Sequence, residues 1–184
     1  MHIYNHKKIK KHFMTTPNLS MPPVFIEPPI IEPPIGLIPN APITTACSVV
    51  RCKKGNKVKV QIKVADFKEI TAISLNIQYK TNALEFVTIK PARTMPSPEG
   101  LFFKANKIDS DNMQLKIAWS SLTPFSLKNT NDLFLVYFTF LGKPTKLIWQ
   151  TKNCEYASTI DNMPTPLCQE PPENFYINGK VTPD

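Results

Sequence analysis

Apolar and polar residues alternate over two neighbouring stretches of the chain, VKVQIKV at 58–64 and ISLNIQY at 73–79, with only a short segment between them. A period of two with β-branched residues on one face is the pattern of a half-buried strand. Two such strands in close succession predict an all-β sandwich. Turn signals at short, regular spacing extend the pattern, and strands are expected near 44–50, 57–64, 73–80, 84–89, 101–108, 114–121, 133–141, 146–157 and 174–182. The stretch LFLVYFTFL at 133–141 is apolar at both phases, as in a central strand covered on both sides, and Gly142, Lys143 and Pro144 end it. Pro124, Pro164, Pro166, Pro171 and Pro172 are expected between strands, where a missing backbone donor does no harm. No long segment carries the 3.6-residue period of a helix.

The alternation also assigns faces. On the third predicted strand Ile73, Leu75, Ile77 and Tyr79 share one phase and belong to the core, which leaves Ala72, Ser74, Asn76 and Gln78 on the outer face. On the sixth, Leu115, Ile117 and Trp119 point inward, and Ala118, Ser120 and Leu122 point outward. On the fifth, Asn106 and Ile108 are the expected exposed pair. These nine outward residues are small or polar with a few apolar ones and include no bulky side chain, which makes a flat surface onto which a helix could lie. Trp119 and Trp149 fall where alternation or local apolarity implies burial, so core packing is preferred over a sugar-stacking platform.

Composition divides the chain. Its 184 residues suit one domain with a tail, and 42% hydrophobic content is enough for a core. Residues 17–42 hold nine of the 19 prolines and repeat IEPPI at 26–30 and 31–35. Each proline fixes φ and biases its predecessor to extended geometry, so 17–42 is expected to be a stiff polyproline-II linker. Residues 1–16 form a basic tail, and 43–184 form the β-sandwich. The net charge of +8 owes half its size to Lys7, Lys8, Lys10 and Lys11, so the domain itself is only mildly basic and nucleic acid is not an expected partner. The first residues resemble the charged start of a secretory signal, but no apolar stretch of about 7 to 15 residues follows. No run approaches the roughly 20 apolar residues that span a bilayer. A soluble monomer without a membrane span is expected.

Candidate chemistry is sparse. His2, His6 and His12 all lie in the tail, so the β-domain has no imidazole for a Ser-His-Asp or Cys-His site. Asp109 and Asp111 in IDSDN invite comparison with a calcium loop, yet the sixth position is Gln114 where glycine is needed and the twelfth is Ser120 where glutamate is needed. The stretch is read as a hairpin turn with Asp and Asn side chains bonded to nearby backbone. Glu85 and Glu155 have the right type for two-carboxylate hydrolysis, but nothing marks a cleft around them. No catalytic residue, metal site or cofactor is assigned. Cys47, Cys52, Cys154 and Cys168 form no Cys-x-x-Cys pair. Cys154 could pair with Cys168, Cys168 could pair with Cys47, or all four could be free. A Cys47–Cys52 pair requires the chain to bend, because an extended strand would separate their α-carbons by roughly 17 Å.

With the strands in place, residues from about 43 to 181 resemble a cohesin domain of the kind secreted by Bacteroidetes-like bacteria. The resemblance rests on VKVQIKVADFKEITAISLNIQY, the YKTNALEF turn at 79–86, KIDSDNMQLKIAWSSLTPFSL at 107–127, LFLVYFTFLG, LIWQTKNCEYA at 147–157 and the closing FYINGKV, in the family's order. It implies a nine-stranded jelly-roll β-sandwich, related to carbohydrate-binding modules, that binds dockerins, small modules of paired calcium-loop helices on partner proteins. It implies further that calcium belongs to the partner, and that the dockerin helices rest on one sheet made from the third, fifth, sixth and eighth strands. By this resemblance the partner-binding residues are Ala72, Ser74, Asn76, Gln78, Asn106, Ile108, Ala118, Ser120 and Leu122. Lys80 and Thr81 stand where the family turn usually carries Asp-Pro, which changes the charge at one edge of that sheet. The function expected is a non-catalytic protein-binding module on a proline-rich stalk, extracellular or at the cell surface. The alternative is a carbohydrate-binding sandwich that takes a polysaccharide.

Overall fold

The computed structural model describes residues 38–46, 49–92, 95, 100–128 and 131–184. The chain divides into the units Met1–Ile35 and Gly36–Asp184. The basic tail and most of the proline-rich segment lie outside the described residues. So does Cys47.

Thirteen strands among the described residues build two packed sheets. In chain order they are β1 (Ile43–Ala46), β2 (Val50–Cys52), β3 (Lys57–Ala65), β4 (Ile70–Lys80), β5 (Leu84–Pro91), β6 (Leu101–Lys107), β7 (Asn112–Phe125), β8 (Asn131–Phe140), β9 (Thr145–Trp149), β10 (Glu155–Ile160), β11 (Met163–Pro166), β12 (Tyr176–Ile177) and β13 (Gly179–Pro183). One sheet runs β12-β1-β3-β8-β5. The other runs β11-β10-β4-β9-β13-β2, and β7 pairs with the free side of β4 and carries β6 at its outer edge. β9 and β10 share one side of β4, with β9 opposite Ile77 and Gln78 and β10 opposite the stretch from Ser74 back to Ile70.

Alternation makes these strands what they are. In β3, Val58, Val60, Ile62 and Val64 are buried, and Lys57, Lys59 and Lys63 are exposed. In β4, Ile73, Leu75, Ile77 and Tyr79 pack inward against the other sheet, where the Tyr79 and Phe138 rings meet edge to face at 5.0 Å. Such an arrangement adds about 0.5–1.5 kcal/mol beyond area burial. Phe67, from the β3–β4 connection, closes one end of the core with edge contacts to Phe125 and Tyr156. No helix among the described residues is long and apolar enough to cross a membrane.

All nine predicted stretches contain strand, and three of them are divided. The run at 44–50 splits because β1 pairs with β3 in one sheet and β2 pairs with β13 in the other. The last run splits likewise: β12 lies parallel to β1, and β13 lies parallel to β2. The two ends of the domain therefore change sheets together, which closes the jelly roll. Trp149 holds this crossing by donating its backbone N–H to Asn178 Oδ1 at 2.9 Å and its indole N–H to the Ile177 carbonyl at 3.0 Å. The run at 146–157 is broken by a 3-10 turn, Thr151–Asn153.

Two readings of the pattern need correction. β8 is central, between β3 and β5, but its outer phase is covered by neighbouring side chains and not by another layer. Leu135 and Tyr137 are half-buried beside Lys59 and Lys90, and the Lys90 ammonium lies 5.8 Å from the Tyr137 ring centre. Long lysine stems cover apolar surface while their heads stay in water. Pro124, Pro164 and Pro166 lie within strands, not between them. β11 is an edge strand paired only with β10, where a proline's missing donor costs little.

Candidate functional site

The outer face of the sheet containing β6, β7, β4 and β9/β10 can be laid out row by row from its register. Ser120, Ala72, Ala157 and Pro166 form one row across β7, β4, β10 and β11. Phe102, Ala118, Ser74 and Glu155 form the next, across β6, β7, β4 and β10. Lys104 and Lys116 lead the third row to Asn76, and Asn106 and Gln114 lead the fourth to Gln78 and Ile148. Directly paired residues share a face, so these rows are the outward phase. The small residues Ala118 and Ser74 form the floor of an open groove of about 840 Å³, walled by Phe102 and Lys104 on one side and by Lys152 and Glu155 on the other.

Of the nine sequence-assigned residues, Ala72, Ser74, Asn76, Gln78, Asn106, Ala118 and Ser120 fall in these rows and Ile108 and Leu122 lie beyond them, while Ser74, Ile108, Ala118, Ser120 and Leu122 are exposed. Ile108 falls just past the end of β6, where its N–H donates to the Asn112 carbonyl. Asn76 differs. It is only 5% exposed, because the turn Thr151–Asn153 folds over it and its Nδ2 donates to the Asn153 carbonyl at 2.6 Å. Its Oδ1 is buried without a hydrogen-bond partner. The ladder is interrupted here: the Gln150 N–H reaches the Asn76 carbonyl at 2.9 Å, and the Asn76 N–H points at Cys154 Sγ at 3.3 Å. Next along β4, Gln78 Oε1 accepts from Gln150 Nε2 at 2.6 Å, so the outer phase of β4 is tied to the connection between β9 and β10.

The expectation of no bulky outward side chain is overturned by Phe102, which is 70% exposed on the edge strand β6. Running the Asn106 phase back along LFFKANK by twos reaches Lys104 and then Phe102, so the signal was present in the sequence. Phe103, on the other phase, turns toward the sandwich edge and meets the Phe86 ring at 5.9 Å. Lys104 and Lys116 face each other directly on the outward phase and were not part of the expected site.

The remaining candidates are accounted for by geometry. Trp119 and Trp149 are 2% and 4% exposed, so neither offers a ring to a sugar. Glu85 pairs with Thr139 on the outer phase of the opposite sheet, and Glu155 pairs with Ser74 on this one, so the two carboxylates face away from each other across the sandwich. Sheets pack about 10 Å apart, and no common substrate could lie between two such outer faces. Asp109 Oδ1 accepts from the Asp111 and Asn112 N–H groups at 2.8 and 2.9 Å, as expected of a hairpin turn, and the hydrogen bond from the Asn112 side chain, followed by that from the Asp111 N–H, holds its carboxyl below the usual range. The described residues contain no group of three or more acidic, His or Cys side chains that could hold a metal. Cys52, Cys154 and Cys168 are free thiols, so neither proposed pairing of Cys168 is made. Cys154 lies at the edge of the groove, and burial pushes its thiol up from 9.0 to about 11.

The same arrangement of strands occurs in solved structures. A type I cohesin–dockerin complex from Clostridium thermocellum contains a chain with a TM-score of 0.60 and 12% identity, covering 79% of this chain and 100% of that one. The seventh ScaB type I cohesin from Pseudobacteroides cellulosolvens gives 0.58 and 15%, over 77% of this chain and 90% of that one. A non-cellulosomal cohesin from the hyperthermophilic archaeon Archaeoglobus fulgidus gives 0.54 and 19%, over 78% and 91%. At these identities the likeness concerns the fold. No curated protein matches the chain. The model of the cohesin domain matches residues 44–158, which run from β1 into β10 and include every strand of the grooved sheet except β11 and β13. With more than half of its length matched in sequence and its sandwich matched in structure, this chain belongs to the cohesin-domain family.

Proposed function

We propose that the chain is a non-catalytic module that binds a dockerin-type partner on the outer face of the β6-β7-β4-β9/β10 sheet. One observation carries this reading: the face combines a floor of small side chains, Ala72, Ser74 and Ala118, with an exposed aromatic, Phe102, on the edge strand that walls it. A helix can approach a sheet closely only over small residues, and a desolvated aromatic is a typical energetic anchor of an interface. Solved relatives of this fold include cohesins in complex with dockerins. The partner-binding set comprises Ala72, Ser74, Gln78, Asn106, Ile108, Ala118, Ser120 and Leu122, with Asn76 supporting the turn beside them. Calcium belongs to the partner, whose helices it orders. Such assembly takes place outside the cell or at its surface, with the proline-rich segment as a spacer.

The experiment that tests this is titration of calcium-loaded recombinant dockerin modules against residues 38–184 and against Ser74→Arg. A one-to-one complex that Ser74→Arg abolishes without lowering the melting temperature supports the reading. Binding that is indifferent to Ser74→Arg rejects the face.

A further inference from the structure

The face carries a feature that docking onto a flat surface does not require. Lys104 and Lys116 stand directly opposite each other on the outward phase of the β6–β7 pair. Like charges in that register destabilise a sheet. Neither lysine has a carboxylate partner among the described residues. Lys152 faces the same groove from the turn, and Glu155 is its one acidic lining residue. An uncompensated cation pair beside an exposed ring, Phe102, costs the free domain stability and fits a ligand that brings the missing charge.

We propose that the docking helix of the partner is both apolar and acidic, with an apolar side chain on Phe102 and, one turn away, an Asp or Glu that bridges Lys104 and Lys116. This specificity rests on the docking reading above. The spacing supports it. Phe102 and Lys104 are two residues apart on β6, about 6.8 Å along a strand, and four residues of helix rise about 6 Å. A helix lying along β6 and β7 therefore sets positions i and i+4 over the ring and the cation pair. Side chains directly opposed across an antiparallel pair have Cβ atoms about 4.5–5.5 Å apart, so the two oxygens of one carboxylate can accept from both ammonium groups. Glu155, on the far wall, repels a second acid placed there and so fixes which way the helix is rotated.

The test uses a panel of calcium-loaded recombinant dockerin modules, half with an apolar-x-x-x-Asp/Glu sequence in the docking helix and half with a neutral or basic residue at the acidic position. Acid-bearing modules are expected to bind, with an association rate that falls steeply with added salt. Lys104→Glu is the informative variant, because it replaces a repulsive cross-strand pair with an attractive one. It should keep or raise the melting temperature while weakening binding at least tenfold. The double variant Lys104→Glu/Lys116→Glu should weaken binding a hundredfold or more, and changing the partner's acid to Lys should restore it. If a module whose binding is abolished by Ser74→Arg binds Lys104→Glu within twofold of wild type, or if the modules that bind are the neutral and basic ones, the acidic-helix proposal is wrong and the docking reading stands. If no module binds, or Ser74→Arg changes nothing, the docking reading itself falls and takes this proposal with it.

Discussion

Asn76 Nδ2 donates to the Asn153 carbonyl at 2.6 Å, fastening the middle of β4 to the turn that interrupts the strand beside it. The bond joins residues 77 apart in sequence and makes the wall of the groove part of the sheet. Asn76→Ala removes this donor, but it also removes an acceptor that has no partner, so the cost should stay near the lower end for a buried hydrogen bond, about 1 kcal/mol. Amide exchange at Asn153 and Cys154 should accelerate more than elsewhere. A uniform acceleration would show that the bond supports the whole domain and not the turn.

Trp119→Ala should destabilise the domain by about 3–5 kcal/mol, as for other large buried aromatics. The indole is 2% exposed and meets Phe125 edge to face at 6.3 Å. Chemical denaturation measures the loss. Wild-type stability with an abolished sugar affinity would place the ring on a carbohydrate platform, against its observed burial.

The boundary of the folded unit can be tested by two truncations. Composition predicts that residues 1 to about 40 are dispensable, since a proline-rich and basic stretch cannot bury enough surface to offset its ordering entropy. The backbone bond to Pro39 moves that limit, so removal of residues 1–37 should leave the melting temperature nearly unchanged. Removing residues 1–42 should cost about 2–4 kcal/mol, because it deletes buried Ala41 and two backbone bonds to Cys168, Ala41 N–H to its carbonyl at 2.7 Å and its own N–H to the Pro39 carbonyl at 2.9 Å. Equal melting temperatures for the two truncations would contradict this.

Alkaline pH should unfold the domain from pH 9 upward. Burial raises the Cys154 thiol from 9.0 to about 11 and the Tyr79 phenol from 10.0 to about 12, and it raises Tyr156 and Tyr176 as well. Between the unfolded and folded values only the unfolded chain releases these protons, so stability is complete below pH 9 and falls above it. Each group contributes a slope of up to about 1.4 kcal/mol per pH unit in its window. Denaturant midpoints at pH 8, 9.5 and 10.5 read the slope, and Cys154→Ala should flatten it between 9 and 11. An unchanged slope in that variant would mean that the thiol ionises freely in the folded state.

Much of this was legible in the chain, because a sandwich writes its faces into sequence at period two. The inward and outward sets of β4 and β7 follow from alternation alone, and so does Phe102, once the phase of Asn106 is carried back along β6. The burial of Asn76 does not follow, since the turn that covers it comes from a distant part of the chain and is held there by hydrogen bonding. The splitting of 44–50 was equally hidden. Val50 looks like a continuation of Ile43–Ala46, and only pairing with β3 on one side and β13 on the other shows that the chain has changed sheets. The Lys104–Lys116 opposition required the register of β6 on β7, which sequence pattern does not supply.

The central claim is that the outer face of β4, β6 and β7 is the partner site. The most direct measurement is calorimetric titration of a calcium-loaded dockerin module into wild type, Ser74→Arg, Ser120→Arg and Leu122→Asp. All three substituted side chains are exposed, so each variant should melt as wild type does, since surface changes usually shift stability by no more than about 0.5 kcal/mol. The account predicts a one-to-one complex with wild type, its loss in each variant, and its release by a chelator that leaves this domain folded. Three variants that bind as tightly as wild type would contradict it.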